Sequence, residues 1–192
     1  FYVLINGYKK MKVFLLIITI MSIILSSYLN PQIQNRNIWF TLVETNIFSS
    51  DGGRVIIFSE IHESLYKTSI NIFQKNPIFG VGPKLFREKC KLNKYKEGIS
   101  SCSTHPHNTY LQLLSETGLI GFLIIFAIGL LIFINIFRHI VSIILKKEQP
   151  FIDFQVFLII CFAITLFPLM PTLNFFNNWI NIIYYLPVGF YL

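Results

Sequence analysis

The chain is poor in charge. Only 13 % of its 192 residues are Asp, Glu, Lys or Arg, about half the share usual in a soluble globular domain. Acids are the scarcer sign, nine against sixteen bases. Positions 118–137 hold no ionisable side chain at all, which excludes a helix with one face in water there. Three cysteines are too few for a small domain held by a disulfide framework. No Gly-Lys-Ser/Thr phosphate-loop sequence occurs, and there is no internal repeat or low-complexity tract. The basic excess is not a nucleic-acid footprint, because 30–117 carries ten bases against seven acids.

What fills the chain instead is apolar: 54 % hydrophobic and 16 % aromatic residues, twenty of them Phe. The expected fold class is therefore all-α, a multi-pass membrane protein with a large loop that carries amphipathic helix. At ~1.5 Å per residue, the charge-free run 13–29 nearly covers a ~30 Å hydrocarbon layer. Segment 118–137 is the clearest span, 151–170 is a third between Pro150 and Pro171, and 179–192 is a short or truncated fourth. A signal peptide competes for 9–29, but the run is longer than the ~7–15 residues of such a core and Ser26-Ser27-Tyr28 is a poor cleavage site. Residue 1 is Phe, so the sequence reads as a C-terminal fragment, inactive alone.

Basic residues near span ends set the orientation. Lys9, Lys10 and Lys12 place 1–12 in the cytoplasm, and Arg138, Lys146 and Lys147 place 138–150 there too. The turn 171–178 and the stretch 100–117 have neither Lys nor Arg, so 30–117 is expected outside, in the periplasm of a bacterial inner membrane. Within it, Ser50 or Asp51 can cap a helix running to about Gln74, with Val55, Phe58, Ile61, Leu65 and Phe73 on one apolar face. Asn76-Pro77 ends that helix. Gly80 and Gly82 then form a turn, a structural role, and 84–95 is a basic excursion. Cys90 and Cys102 flank the excursion, where an oxidising compartment would let them pair.

Three features of this loop carry chemistry: Arg54, the glycine turn with Asn76 and Pro77, and the polar run 103–110 that leads into the next span. The stretches NPIFGVGPKLF at 76–86 and HPHNTYLQLLSETGLIGF at 105–122 resemble the signature of the O-antigen ligase, O-antigen polymerase and protein O-oligosaccharyltransferase superfamily. FPLMPTLNFFNNW at 167–179 resembles its closing segment more loosely. In that family a histidine beside an asparagine stands just before a span, matched by His107 and Asn108, and an arginine opens the loop helix, matched by Arg54.

The resemblance implies metal-independent transfer of a glycan from an undecaprenyl-diphosphate carrier to an acceptor hydroxyl. The acceptor is either lipid A core or a growing glycan, and no cofactor is implied. A guanidinium at Arg54 can meet the charge growing on the leaving diphosphate through two parallel hydrogen bonds. A neutral imidazole at His107 can take the acceptor's proton, an effect worth roughly 10²–10⁴-fold. Asn108 and Tyr110 are candidate substrate contacts, and Arg87 can stand in for a second family arginine whose loop is missing here.

Each feature has a plainer role: Arg54 a solvated side chain, Asn108 a helix cap, Tyr110 an interfacial anchor, Glu116 a favourable charge at a helix start, and Asn174, Asn177, Asn178 and Asn181 a helix entry. His105, His107 and Cys102 are conceivable zinc ligands without a fourth partner. A transporter of lipid-linked glycans and a noncatalytic scaffold remain the competing functions. Intramembrane charge pairs, which would favour transport, are missing from 118–137.

Overall fold

The computed structural model describes residues 8–35, 58–98, 100–179, 181–182 and 185–186. The described residues are helical or irregular and include no strand. They fall into two compact units, divided between Ser59 and Glu60.

The first unit contains α1 (Lys9–Leu29) and the short α2 (Pro31–Gln34). Almost every Leu, Ile, Met and Phe side chain of α1 is exposed, a surface stable only in an apolar solvent. Over Lys10–Leu29 the helix is long and apolar enough to cross a bilayer. Asn30 joins the two helices: its N–H donates to the Ser26 carbonyl at 3.1 Å, and its side chain accepts from the Gln32 N–H at 3.0 Å. Pro31 then opens α2, at the position where a missing N–H costs nothing.

The second unit contains α3 (Glu60–Lys75), α4 (Phe86–Lys89), α5 (Thr109–Ile144) and α6 (Asp153–Thr165). The loop helix α3 begins at Glu60 after the non-helical Phe58 and Ser59, so Phe58 is not part of it, and the expected cap at Ser50 or Asp51 lies outside the described residues. Glu60 and Glu63 in its first turn suit the positive end of the helix dipole. Its buried stripe also differs from the expected one. Leu65, Thr68, Ser69 and Ile72 face inward at spacings of three and four, whereas Ile61 is exposed. Small hydroxyl residues on that stripe allow α3 to pack closely on α5. At its end the Asn76 amide donates to the Ile72 carbonyl (3.1 Å) and to the Tyr95 hydroxyl (3.3 Å).

α5 is not one straight rod. Gly118 has φ 66° and ψ −162°, a conformation essentially reserved for glycine, and the chain reverses there. Tyr110 consequently lies beside residues well past the break, its ring centroid 6.0 Å from Phe122 and 6.3 Å from Phe126. Segment 109–117 thus folds back along the start of 119–144. The latter is ~39 Å long at ~1.5 Å per residue and exceeds a ~30 Å hydrocarbon layer by itself.

The break is closed by the glycine turn. In an unbroken helix the N–H groups of Leu119 and Ile120 would donate to the carbonyls of Ser115 and Glu116. Here they donate to Pro77 (2.8 Å) and Ile78 (3.4 Å). The abandoned carbonyls of Ser115 and Glu116 accept instead from the N–H groups of Val81 (3.0 Å) and Gly82 (2.8 Å). Residues 77–82 are therefore spliced into the helix, and these four backbone groups are all satisfied. Such an approach leaves no room for Cβ atoms. One on Gly80 would meet the Glu116 carbonyl and the Thr117 nitrogen, and one on Gly118 would meet the Ile78 carbonyl and the Gly80 nitrogen.

α6 has only 13 residues, ~20 Å of helix, and is shorter than the span expected over 151–170. Residues 166–170 turn instead, since Pro168 and Pro171 disfavour helix at the residues before them. Phe133 and Phe167, with ring centroids 6.4 Å apart, and His139 and Phe151, 6.0 Å apart, hold α5 and α6 side by side. Of the expected fourth span 179–192, residues 179, 181–182 and 185–186 are described and helical.

Candidate active site

The polar run 103–110 is bound through His105, His107, Asn108, Thr109 and Tyr110 to the segment that follows α6. Asn108 caps α5, its Oδ1 accepting from the N–H groups of Tyr110 (3.0 Å) and Leu111 (3.1 Å). Its Nδ2 donates to the Pro168 carbonyl at 2.7 Å. The Tyr110 hydroxyl donates to the Leu166 carbonyl (2.7 Å), and the Thr172 N–H donates to the His107 carbonyl (2.9 Å). One turn further on, Gln112 accepts from the Phe175 N–H (3.0 Å) and donates both to Asn174 Oδ1 (2.9 Å) and to Glu116 Oε2 (3.0 Å). Glu116 is fully buried, and its other oxygen accepts from the Phe86 N–H at 2.9 Å. This carboxylate ties the start of α4 to α5. Asn108 and Tyr110, expected as substrate contacts, thus have polar atoms engaged in holding the loop.

His107 stands at the turn of that run with φ 58°, a left-handed backbone that a bulky residue adopts at a cost of roughly 1–3 kcal/mol. Three histidines gather here. The His107 ring centroid is 4.1 Å from that of His105 and 5.9 Å from that of His62 on α3. His62 was not singled out from the sequence, where nothing marks it beyond its place on a helix.

The two loop histidines differ in what their nitrogens do. His105 Nε2 lies 3.2 Å from the Thr172 carbonyl, which can only accept, so Nε2 carries the proton and Nδ1 accepts from the Thr104 hydroxyl at 2.9 Å. His107 Nε2 has one long contact, 3.4 Å to the Ser103 hydroxyl. Burial, and secondarily the neighbouring His62 charge, push the His107 ring below the usual histidine range. Burial and the His107 charge do the same to His105, against the opposing pull of the Thr172 carbonyl. Both rings are thereby held neutral near neutral pH.

Cys90 and Cys102 form a disulfide with Cα atoms 5.1 Å apart. The bond anchors the strand of loop that leads through Ser103 to His107. It also removes the Cys102 thiolate, and with both His105 nitrogens engaged the trio does not fit a zinc ion.

Beside His105 opens a cavity of about 490 Å³, lined among others by Lys84, Arg87, His105, Asn174, Asn177 and Trp179. It brings Arg87 from the basic excursion together with the asparagine cluster at the helix entry. Asn177 does have that capping role, its Oδ1 accepting from the Trp179 N–H at 3.1 Å. Gly80 and Gly82 stay apart from the cavity lining and serve the helix break. Arg54 falls outside the described residues.

The sequence model of the O-antigen ligase family matches residues 1–126, a stretch that includes Arg54, the glycine turn, the disulfide and His107. No curated protein and no solved structure matches the chain. With well over half of its length matched, the chain belongs to the O-antigen ligase family, whose general activity is ligase-type glycosyl transfer.

Proposed function

We propose that this protein transfers a glycan from an undecaprenyl-diphosphate carrier to an acceptor hydroxyl at the outer face of the bacterial inner membrane, without a metal ion. His107 acts as general base and Arg54 stabilises the departing diphosphate. The acceptor belongs to lipid A core or to a growing glycan.

The observation that carries this reading is the state of His107. It is a neutral imidazole whose Nε2 has only a long hydroxyl contact, on a strained residue fixed through its own carbonyl and through Asn108. An acceptor hydroxyl that displaces Ser103 can approach Nε2 and lose its proton as its oxygen attacks the anomeric carbon. The bond from that carbon to the diphosphate oxygen breaks as the new glycosidic bond forms. Single-step attack from the opposite face inverts the anomeric centre, and a guanidinium at Arg54 supports the leaving oxygens with a two-point contact.

The test is reconstitution of the full-length protein with a lipid-linked glycan and candidate acceptors. His107→Ala is expected to bind the donor yet form no product, and unchanged product formation removes His107 from the mechanism. Arg54→Lys keeps the charge but loses the planar fork, so reduced turnover is expected, and wild-type turnover overturns the diphosphate contact. Retained anomeric configuration in the product, read by NMR, contradicts direct displacement.

A further inference from the structure

We propose that the cavity beside His105 is a subsite for a sugar unit bearing a carboxylate or phosphate, in a glycan substrate of the transfer reaction. The inference deepens the functional reading above and rests on it for the identity of the reaction. The pocket itself rests on separate observations.

The first is size. About 490 Å³ lies within the ~300–1,000 Å³ typical of small-molecule sites and is far more than a lone phosphate needs. The second is charge. Lys84 and Arg87 both line the cavity, its lining contains no carboxylate, and neither cation has an ion-pair partner among the described residues. Arg87 is fixed by its Nε, which donates to the Lys84 carbonyl at 3.2 Å. The rest of its guanidinium has no other partner among the described residues. Lys84 has φ 63° because it follows Pro83 in a turn closed by the Leu85 N–H, which donates to the Gly82 carbonyl at 3.2 Å, so the turn fixes its backbone beside Arg87.

The third observation is the hydrogen-bonding sense of the opposite wall. Asn174 Oδ1 accepts from Gln112 and from the Phe176 N–H (2.9 Å), and Asn177 Oδ1 accepts from the Trp179 N–H. Those backbone donors fix both amide orientations, so the polar capacity left over is the Nδ2 groups, which can only donate. Two cations and two amide N–H₂ groups make a lining rich in donors, and its complement is a ligand rich in acceptors. The oxygens of an acidic sugar fit, and the indole of Trp179, 81 % exposed, offers an apolar face for the ring. His105 forms part of the wall and its ring lies against that of His107, tilted by 46°, so a unit bound here lies next to the proposed base.

Binding is measured on the full-length protein in detergent, with cellobiouronic acid and uncharged cellobiose as probes. The acid is expected to bind at least tenfold tighter. In Lys84→Gln/Arg87→Gln that preference should vanish, with cellobiose binding within twofold of wild type. Arg87→Lys, which preserves the charge, should keep most of the preference and guards against misfolding as the cause. Equal affinities in the wild type, or a preference that survives the double substitution, overturn the subsite. His107→Ala should keep the preference while losing transfer, so failure of the chemistry and failure of the subsite are read separately. In the transfer assay, Arg87→Gln should raise KM only for the substrate that carries the acidic unit, donor or acceptor, which identifies its source. An equal rise with wholly uncharged glycans means that the cations hold the carrier diphosphate, and overturns the proposal.

Discussion

At the break in α5 and at the histidine loop, the same stretch of chain handles backbone strain in opposite ways. Around Gly118 the unusual conformation falls on glycine, and the N–H groups of Leu119 and Ile120 and the carbonyls of Ser115 and Glu116 find partners in 77–82. Around His107 a left-handed conformation falls on a large side chain, and its Nε2 keeps only a long hydroxyl contact. The first region is closed by those four hydrogen bonds. The second has its backbone fixed and its chemistry unspent. Regular partners on one side and a poised residue on the other are what separate a structural joint from a candidate reaction centre.

That contrast is open to attack. The largest effect is expected from Gly118→Val, which forces a branched residue into a conformation costing about 1–3 kcal/mol for ordinary residues and drives it into the backbone of Ile78 and Gly80. Thermal unfolding or yield of folded protein in detergent should show its loss, and a wild-type melting profile would mean that the break is not locked.

Next, His107→Ala should cut turnover roughly 10²–10⁴-fold while melting stays within a degree or two of wild type. A large drop in melting temperature would make the loop as structural as the joint. Removing the disulfide by Cys90→Ala/Cys102→Ala closes no loop in the unfolded chain, and a loss of about 3 kcal/mol is expected for a bridge of this span. Denaturant titration of oxidised and reduced wild type checks it.

The smallest effect concerns pH. A general base must be neutral, and the His107 ring titrates below its ordinary value. Activity should therefore persist as pH falls to about 6.5 and decline only at lower pH, as the ring gains its proton. His62→Gln removes a neighbouring positive charge and should move that acid limb upward by a fraction of a unit. An unmoved limb would show that the pair is not electrostatically coupled.

Hydropathy made much of the fold legible. The absence of charge marks both long apolar helices, and position 118, where the ionisable residues stop, coincides with the reversal. The reversal itself was not legible, because it depends on hydrogen bonds between 77–82 and 115–120, and composition carries no trace of a long-range pairing. Reading Gly80 and Gly82 as a turn identified the local geometry without its partner.

α3 begins later and α6 ends earlier than the sequence pattern suggests, because capping residues and apolar runs do not register where neighbouring segments end a helix. The motif singled out His107 and Asn108, but its logic did not extend to Lys84 or Asn174. Those residues acquire meaning only when the excursion and the chain after α6 meet at one cavity. The asparagines were legible as helix caps and silent about the donors that capping leaves over.

The spliced joint also bears on how the chain is made. Helix 119–144 can enter a bilayer with its own hydrogen bonds complete except at its first turn, and the groups that complete that turn belong to residues synthesised earlier. A ribosome-bound chain thus has 77–82 already extruded when Gly118 emerges, and the latch can shut as soon as Ile120 follows. Were those residues held away from the break, the N–H groups of Leu119 and Ile120 and the carbonyls of Ser115 and Glu116 would lose the partners that 77–82 supply, so the joint forms only when both stretches are on the same side of the bilayer.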